Sequence, residues 1–186
     1  TNIGSTGNKI TNSTFTSNNT SQQDVVCSII KSGSEVTAGG LVGCSYNNFV
    51  IKDSSLYVIR GNITAMKTGD TDTTKKGTQS GGIIGRLEHT GEIYNCNVKG
   101  NYLNIISKSA ENYNSAGGIV GIDVGPYHKN IITINNCSFD GTMTSNIIVE
   151  TTYNDTISKY SSVGGIAGYG TYKINNCSVK NTTITA

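Results

Sequence analysis

The chain has 186 residues and a formal net charge of +2; 35% of its residues are hydrophobic and 14% charged, with 23 Gly and one Pro. Its Lys and Arg residues are dispersed, and the densest basic spot, Lys75-Lys76, sits among Asp70 and Asp72, which argues against the basic patch of a nucleic-acid binder. No run reaches the ~18 apolar residues of a spanning helix, and low hydrophobicity without high net charge or abundant Pro does not fit a disordered chain.

In chain order, the first recognisable element is Ile10-Thr11-Asn12-Ser13-Thr14-Phe15, which returns as Ile51-Lys52-Asp53-Ser54-Ser55-Leu56 and Ile93-Tyr94-Asn95-Cys96-Asn97-Val98. It returns again as Ile134-Asn135-Asn136-Cys137-Ser138-Phe139 and Ile174-Asn175-Asn176-Cys177-Ser178-Val179. The Ile residues lie 41, 42, 41 and 40 positions apart, the signature of a repeat architecture. After each of the first four copies comes a β-branched run, at residues 24–30, 57–64, 102–106 and 145–150, of strand length and bounded by turn formers. Apolar residues fall singly, in pairs or in alternation, and nowhere at helical spacing.

A second motif alternates with the first: Gly39-Gly40-Leu41-Val42-Gly43, Gly81-Gly82-Ile83-Ile84-Gly85, Gly117-Gly118-Ile119-Val120-Gly121 and Gly164-Gly165-Ile166-Ala167-Gly168. Its glycines suit a turn with positive φ and a close approach of neighbouring backbone. Polar segments at 67–80, 107–116, 123–130 and 151–162 are expected to stand out as loops, since a lean coil needs only about 20 to 30 residues.

Three short walls per repeat predict an all-β fold, a parallel β-helix solenoid that is right-handed by default. It has about four coils of about 41 residues with protruding loops, spans 1–186 as one domain, and begins and ends at the same strand phase. Equivalent residues then stack about 4.8 Å apart. Ile10, Ile51, Ile93, Ile134 and Ile174 form an inward column. Asn12, Asp53, Asn95, Asn136 and Asn176 form an amide ladder at a bend, with Asp53 needing a donor nearby. No atypical capping segment marks either end of the repeat, so the sequence reads as part of a longer polypeptide.

The Gly-Gly-Ile-Val-Gly element followed by Ile-x-Asn-Cys resembles the GLUG motif, a short repeat with a Gly-Leu-x-Gly core, over about 39–179. That motif occurs in bacterial surface proteins, among them immunoglobulin-cleaving peptidases and haemagglutinin-like adhesins. The resemblance implies a parallel β-helix in an extracellular, repeat-bearing region, and it carries over no functional residue.

Candidate chemistry is sparse. Cys96, Cys137 and Cys177 share a column with Ser13 and Ser54, which reads as a stack of small free thiols, and no Cys-x-x-Cys pair exists. Cys27 and Cys44 lie off that column and form a possible disulfide if adjacent walls bring them within about 6 Å. Asp53, Asp123 and Asp140 are the best carboxylates for a glycosidase pair, but they fall in different columns. Asp70-x-Asp72 lacks the rest of a calcium loop, and His89 and His128 have no ligand partner at i+4. We therefore expect no enzyme, no metal site and no cofactor. Glycosylation acceptor triplets occur at Asn12, Asn18, Asn19, Asn62, Asn136, Asn154, Asn176 and Asn181; Asn154 and Asn62 are the candidates, while Asn136 and Asn176 belong to the ladder. Tyr127 and Tyr153, in polar segments, are candidate contacts for a glycan or host protein.

The expected role is a structural, rod-like segment of a long extracellular surface protein or filament, with loops available for adhesion. Its partners would be further coils of the same protein or identical subunits end to end. A glycan- or protein-binding adhesin module is the alternative, and a polysaccharide-acting enzyme a distant third.

Overall fold

The computed structural model describes residues 8–18, 20, 21, 23–29, 35–46, 48–67, 77–109, 114–123, 131–151 and 161–186. Among these, nineteen strands follow one another with no helix. The first coil comprises β1 (Asn8–Thr11), β2 (Thr14–Ser17), β3 (Gln23–Ile29), β4 (Val36–Gly39) and β5 (Val42–Ser45). The second comprises β6 (Phe49–Lys52), β7 (Ser55–Lys67), β8 (Thr78–Gly81) and β9 (Ile84–Leu87). The third holds β10 (Gly91–Tyr94), β11 (Asn97–Ser109), β12 (Asn114–Gly117) and β13 (Val120–Asp123), and the fourth β14 (Ile132–Asn135), β15 (Ser138–Thr151), β16 (Ser161–Gly164) and β17 (Ala167–Tyr169). A last part-coil adds β18 (Tyr172–Asn175) and β19 (Ser178–Thr185).

Corresponding strands stack into four parallel sheets, in the order β1-β6-β10-β14-β18 (sheet I), β19-β15-β11-β7-β2 with β3 also on β7 (sheet II), β16-β12-β8-β4 (sheet III) and β17-β13-β9-β5 (sheet IV). The parallel β-helix expected from the 41-residue period is therefore present. Its cross-section has four walls rather than three. The Gly-Gly motif is not one strand; it is the bend between a short strand of sheet III and a short strand of sheet IV. The β-branched runs are likewise longer than expected, because β7 and β11 run unbroken for 13 residues each from the first motif to the next polar segment. The described ends of those segments, at residues 107–109 and 114–116, are strand rather than loop. The described strands begin in sheet I and end in sheet II, so sheets I and II extend one layer beyond sheets III and IV.

The register explains the columns. Ile10 aligns with Ile51, Ile51 with Ile93, Ile93 with Ile134 and Ile134 with Ile174. Sheet II alternates along its length, with Leu56, Val58, Ile63 and Ala65 buried between outward residues, the period-2 pattern of a wall with one wet face. In the two inner copies of the Gly-Gly motif both central apolar residues are buried, Ile83 with Ile84 and Ile119 with Val120, because the bend turns between them and directs each into the interior. The motif's glycines serve close packing rather than positive φ: the described glycine with a positive φ is Gly170, outside the motif. A Cβ on Gly118 would lie 2.1 Å from the Gly165 carbonyl oxygen and 3.0 Å from Phe139 Cβ. The two motifs thus pack on each other across the core. Where sheet II turns into sheet III the interior is polar: Thr78 Oγ1 and Ser107 Oγ lie 2.7 Å apart, and Asn114 Oδ1 accepts from Thr78 N at 3.0 Å and Ser109 Oγ at 2.7 Å. Such bonds offset the cost of burying polar groups.

Candidate functional site

The bend between sheets I and II is the most regular feature. Asn12, Asp53, Asn95, Asn136 and Asn176 all adopt the left-handed conformation, with φ between 50° and 52°. Asn and Asp tolerate this region better than other residues with a Cβ, so the column is selected first by backbone geometry. Among the described residues the expected ladder has one rung, and it joins an amide to a carboxylate rather than two amides: Asn95 Nδ2 donates to Asp53 Oδ1 at 2.9 Å. Asp53 thus has the donor it needs, and Lys52 Nζ stands 3.6 Å from its other oxygen.

Next in the column, the serines and cysteines perform one task. Ser54 Oγ donates to the Lys52 carbonyl at 2.9 Å, and the Cys96, Cys137 and Cys177 thiols donate to the carbonyls of Tyr94, Asn135 and Asn175 at 3.4, 3.3 and 3.2 Å. Each group caps the carbonyl two residues back, which explains why a hydroxyl and a thiol exchange there. The three thiols are free, as is that of Cys44. The hydrogen bond with Cys96, then burial, raises the pKa of Cys137. The side chain of Cys27 lies outside the described residues; its backbone aligns with Ala65 in sheet II, whereas Cys44 stands in sheet IV.

A second ladder, which the sequence reading missed, crosses the outer face of sheet II. Asn104 Nδ2 donates to Asn62 Oδ1 at 2.8 Å and Asn146 Nδ2 to Asn104 Oδ1 at 2.7 Å. Its signal was present, since residues 62, 104 and 146 keep the repeat period and each precedes Ile. Asn62 is therefore a hydrogen-bonded strand residue, a poor setting for the glycosylation considered there. Beside the ladder the Arg60 guanidinium lies 4.8 Å from the Tyr102 ring centre.

A charged cluster marks sheet IV. Arg86, 8% exposed, pairs with Glu35 and places Nη2 2.6 Å from Glu88 Oε1. Burial lowers the guanidinium pKa against the opposing pull of Glu88. Cys44 aligns with Arg86, and burial pushes its thiol up to about 11, helped by the charge of Glu88 and opposed by a hydrogen bond with Tyr46. A cleft of about 300 Å³ opens between sheets I and IV at the first coil, lined by Ile10, Leu41, Val42, Cys44, Phe49 and Ile84 among others.

The candidate carboxylates stand apart. Asp53 is on the bend, Asp140 in sheet II accepts from Asn181 Nδ2 at 3.0 Å, and Asp123 ends β13 in sheet IV with its side chain outside the described residues. Among the described residues no group of three His, Cys, Asp or Glu could hold a metal. Tyr127, Tyr153, Asn154, His128, Asp70 and Asp72 also lie outside them.

At the last coil the core columns come to the surface. Ile174 is 47% exposed, whereas Ile93 and Ile134 in the same column are 0%. Ile184 follows at 45%.

The GLUG motif matches residues 76–105 and 159–185, each stretch spanning a Gly-Gly bend and the Ile-x-Asn-Cys strand that follows it. No curated protein and no solved structure matches the chain.

Proposed function

We propose that this chain is a structural, rod-forming segment of a long extracellular surface protein or filament, with loops available for adhesion and no catalytic role. The observation that supports it is the in-register parallel stack, in which Ile51, Ile93 and Ile134 form one buried column through successive coils. The surface setting rests on the GLUG motif and on a polar exterior built from Asn, Ser and Thr. Electron microscopy of the chain at rising concentration is expected to show rods that lengthen end to end. Rods that stay one solenoid long would assign the additional coils to the same polypeptide, and particles without a long axis would overturn the reading.

A second reading, an adhesin module for glycans, draws on the outer face of sheet II. There a flat row of amides lies beside the Arg60–Tyr102 stack, and amide and aromatic groups together suit sugar hydroxyls and ring faces.

A further inference from the structure

The thiols of Cys96 and Cys137 occupy equivalent places in the third and fourth coils. Cys96 Sγ lies 3.4 Å from the Tyr94 carbonyl oxygen and 3.6 Å from that of Ile51. Cys137 Sγ lies 3.3 Å from the Asn135 carbonyl oxygen and 3.6 Å from that of Ile93. Matching surroundings mean matching rotamers, so the sulfurs are related by the translation from one coil to the next. That sets them one interstrand spacing apart, about 4.8 Å. Both residues are buried, at 0% and 1% exposure, with a further layer of sheets I and II on either side.

This spacing decides what the pair can do. A disulfide needs sulfurs at about 2.05 Å and Cβ atoms within about 4.5 Å, closer than the hydrogen-bonded strands flanking the bend allow. Two collinear metal–thiolate bonds of about 2.3 Å span about 4.6 Å, which the pair meets with its strands in place. Zinc takes four ligands, and among the described residues no group of three His, Cys, Asp or Glu converges. Copper(I) is a soft ion that thiolates select, and two collinear sulfurs suffice for it.

We infer that Cys96 and Cys137 form a two-coordinate site for a soft monovalent metal ion of the copper(I) class, clamped between the third and fourth coils. On binding, each thiol gives its proton to solvent: two Cys–SH and one Cu+ yield a linear S–Cu–S unit of charge −1 and two H+. The oxidation state of the metal does not change. Backbone amides are in place for that charge, since Cys96 N donates to Cys137 Sγ at 3.4 Å and a backbone bond from Ser54 serves Cys96. Such bonds favour the thiolate. Losing the thiol protons orphans no carbonyl, because Tyr94 O still accepts from Asp53 N at 3.0 Å and Asn135 O from Asn95 N at 3.1 Å. Asn97 and Asn136, next to the two cysteines in the chain, are exposed, so the pair lies one residue from solvent.

The test titrates the reduced full chain with copper(I) against a competing chromophoric chelator, without oxygen, and repeats it on Cys96→Ser, Cys137→Ser and Cys177→Ser. Ser13 and Ser54 hold the same column and cap the same carbonyl, so these variants should keep the circular dichroism of the parent. Expected is one tightly held ion per chain in the parent and in Cys177→Ser. In Cys96→Ser and Cys137→Ser the affinity should be about a hundredfold weaker, because the second intramolecular ligand is gone. X-ray absorption of the loaded parent should show two sulfurs in a linear arrangement. Parent-like affinity in Cys96→Ser or Cys137→Ser overturns the inference, as does loss of the ion in Cys177→Ser. If a serine variant fails to fold, the parent decides: a spectrum with three or more sulfurs, or no ion retained against the chelator, refutes the site.

Discussion

The left-handed column makes the sharpest quantitative prediction. Asn95 and Asn136 share φ 52°, but Asn95 also donates to the Asp53 carboxylate at 2.9 Å. Replacing Asn136 by Ala forces an ordinary Cβ into the left-handed region, at a cost of about 1 kcal/mol, the lower end of the range for that conformation. Asn136→Gly removes the Cβ altogether, and its gain in turn geometry offsets the greater freedom of the unfolded chain, leaving a change of about 0.5 kcal/mol or less. Asn95→Ala suffers the same backbone cost and also loses a hydrogen bond to a charged group. At an exposed site that bond is worth about 1 kcal/mol, so the total is about 2 kcal/mol. Urea unfolding followed by circular dichroism measures all three variants, with slopes expected to match the parent. The order of stability should be Asn136→Gly, then Asn136→Ala, then Asn95→Ala. If Asn136→Ala is no less stable than Asn136→Gly, the column is not selected by backbone conformation. If the two alanine variants coincide, the Asn95–Asp53 bond contributes nothing.

Two glycines at equivalent positions of the Gly-Gly motif should respond differently. A Cβ on Gly121 would sit 2.4 Å from the Gly85 carbonyl oxygen and 2.7 Å from that of Ser80, whereas one on Gly43 meets nothing nearer than 3.7 Å. Gly121→Ala is expected to lose several kcal/mol, of order 3 as in overpacked cores, or to prevent folding; Gly43→Ala should fold with a midpoint within a few degrees of the parent, as thermal melts will tell. Cys44 supplies a pH dependence. Burial raises its pKa from 9.0 to about 11, so the folded state holds the thiol proton more tightly. Its contribution to stability is full below pH 9 and is lost as pH rises toward 11. Stability measured between those values should fall more steeply in the parent than in Cys44→Ser, and equal slopes would refute the assignment.

How much of this was legible depends on whether a feature recurs. The Ile column, the Ser/Cys exchange and the parallel stack all repeat at the coil period, and periodic reading found them. The fourth wall escaped because its strands are three or four residues long and begin within a Gly-Gly-Ile run. Alternation has no room to declare itself over such a length. The bend column was read as an amide ladder, yet only φ explains why Asp53 fits beside four asparagines. Arg86 was invisible for the opposite reason: its column reads Cys44, Arg86, Ile122 and Tyr169, so the ion cluster, Glu35 of the first coil with Arg86 and Glu88 of the second, forms once among the described residues and leaves no periodic trace.

The stacking direction also decides how the molecule answers a pull. Every strand lies across the stacking axis, so tension between the first and last coils acts along the hydrogen bonds that join successive coils, layer by layer. Bonds loaded in that direction open as a zipper opens, not all together as in a sheared sheet. Each coil that peels away frees about 41 residues, or roughly 140 Å of extended chain at about 3.4 Å per residue. Anchored at both ends, such a rod would yield length in equal instalments while the coils still closed keep their shape.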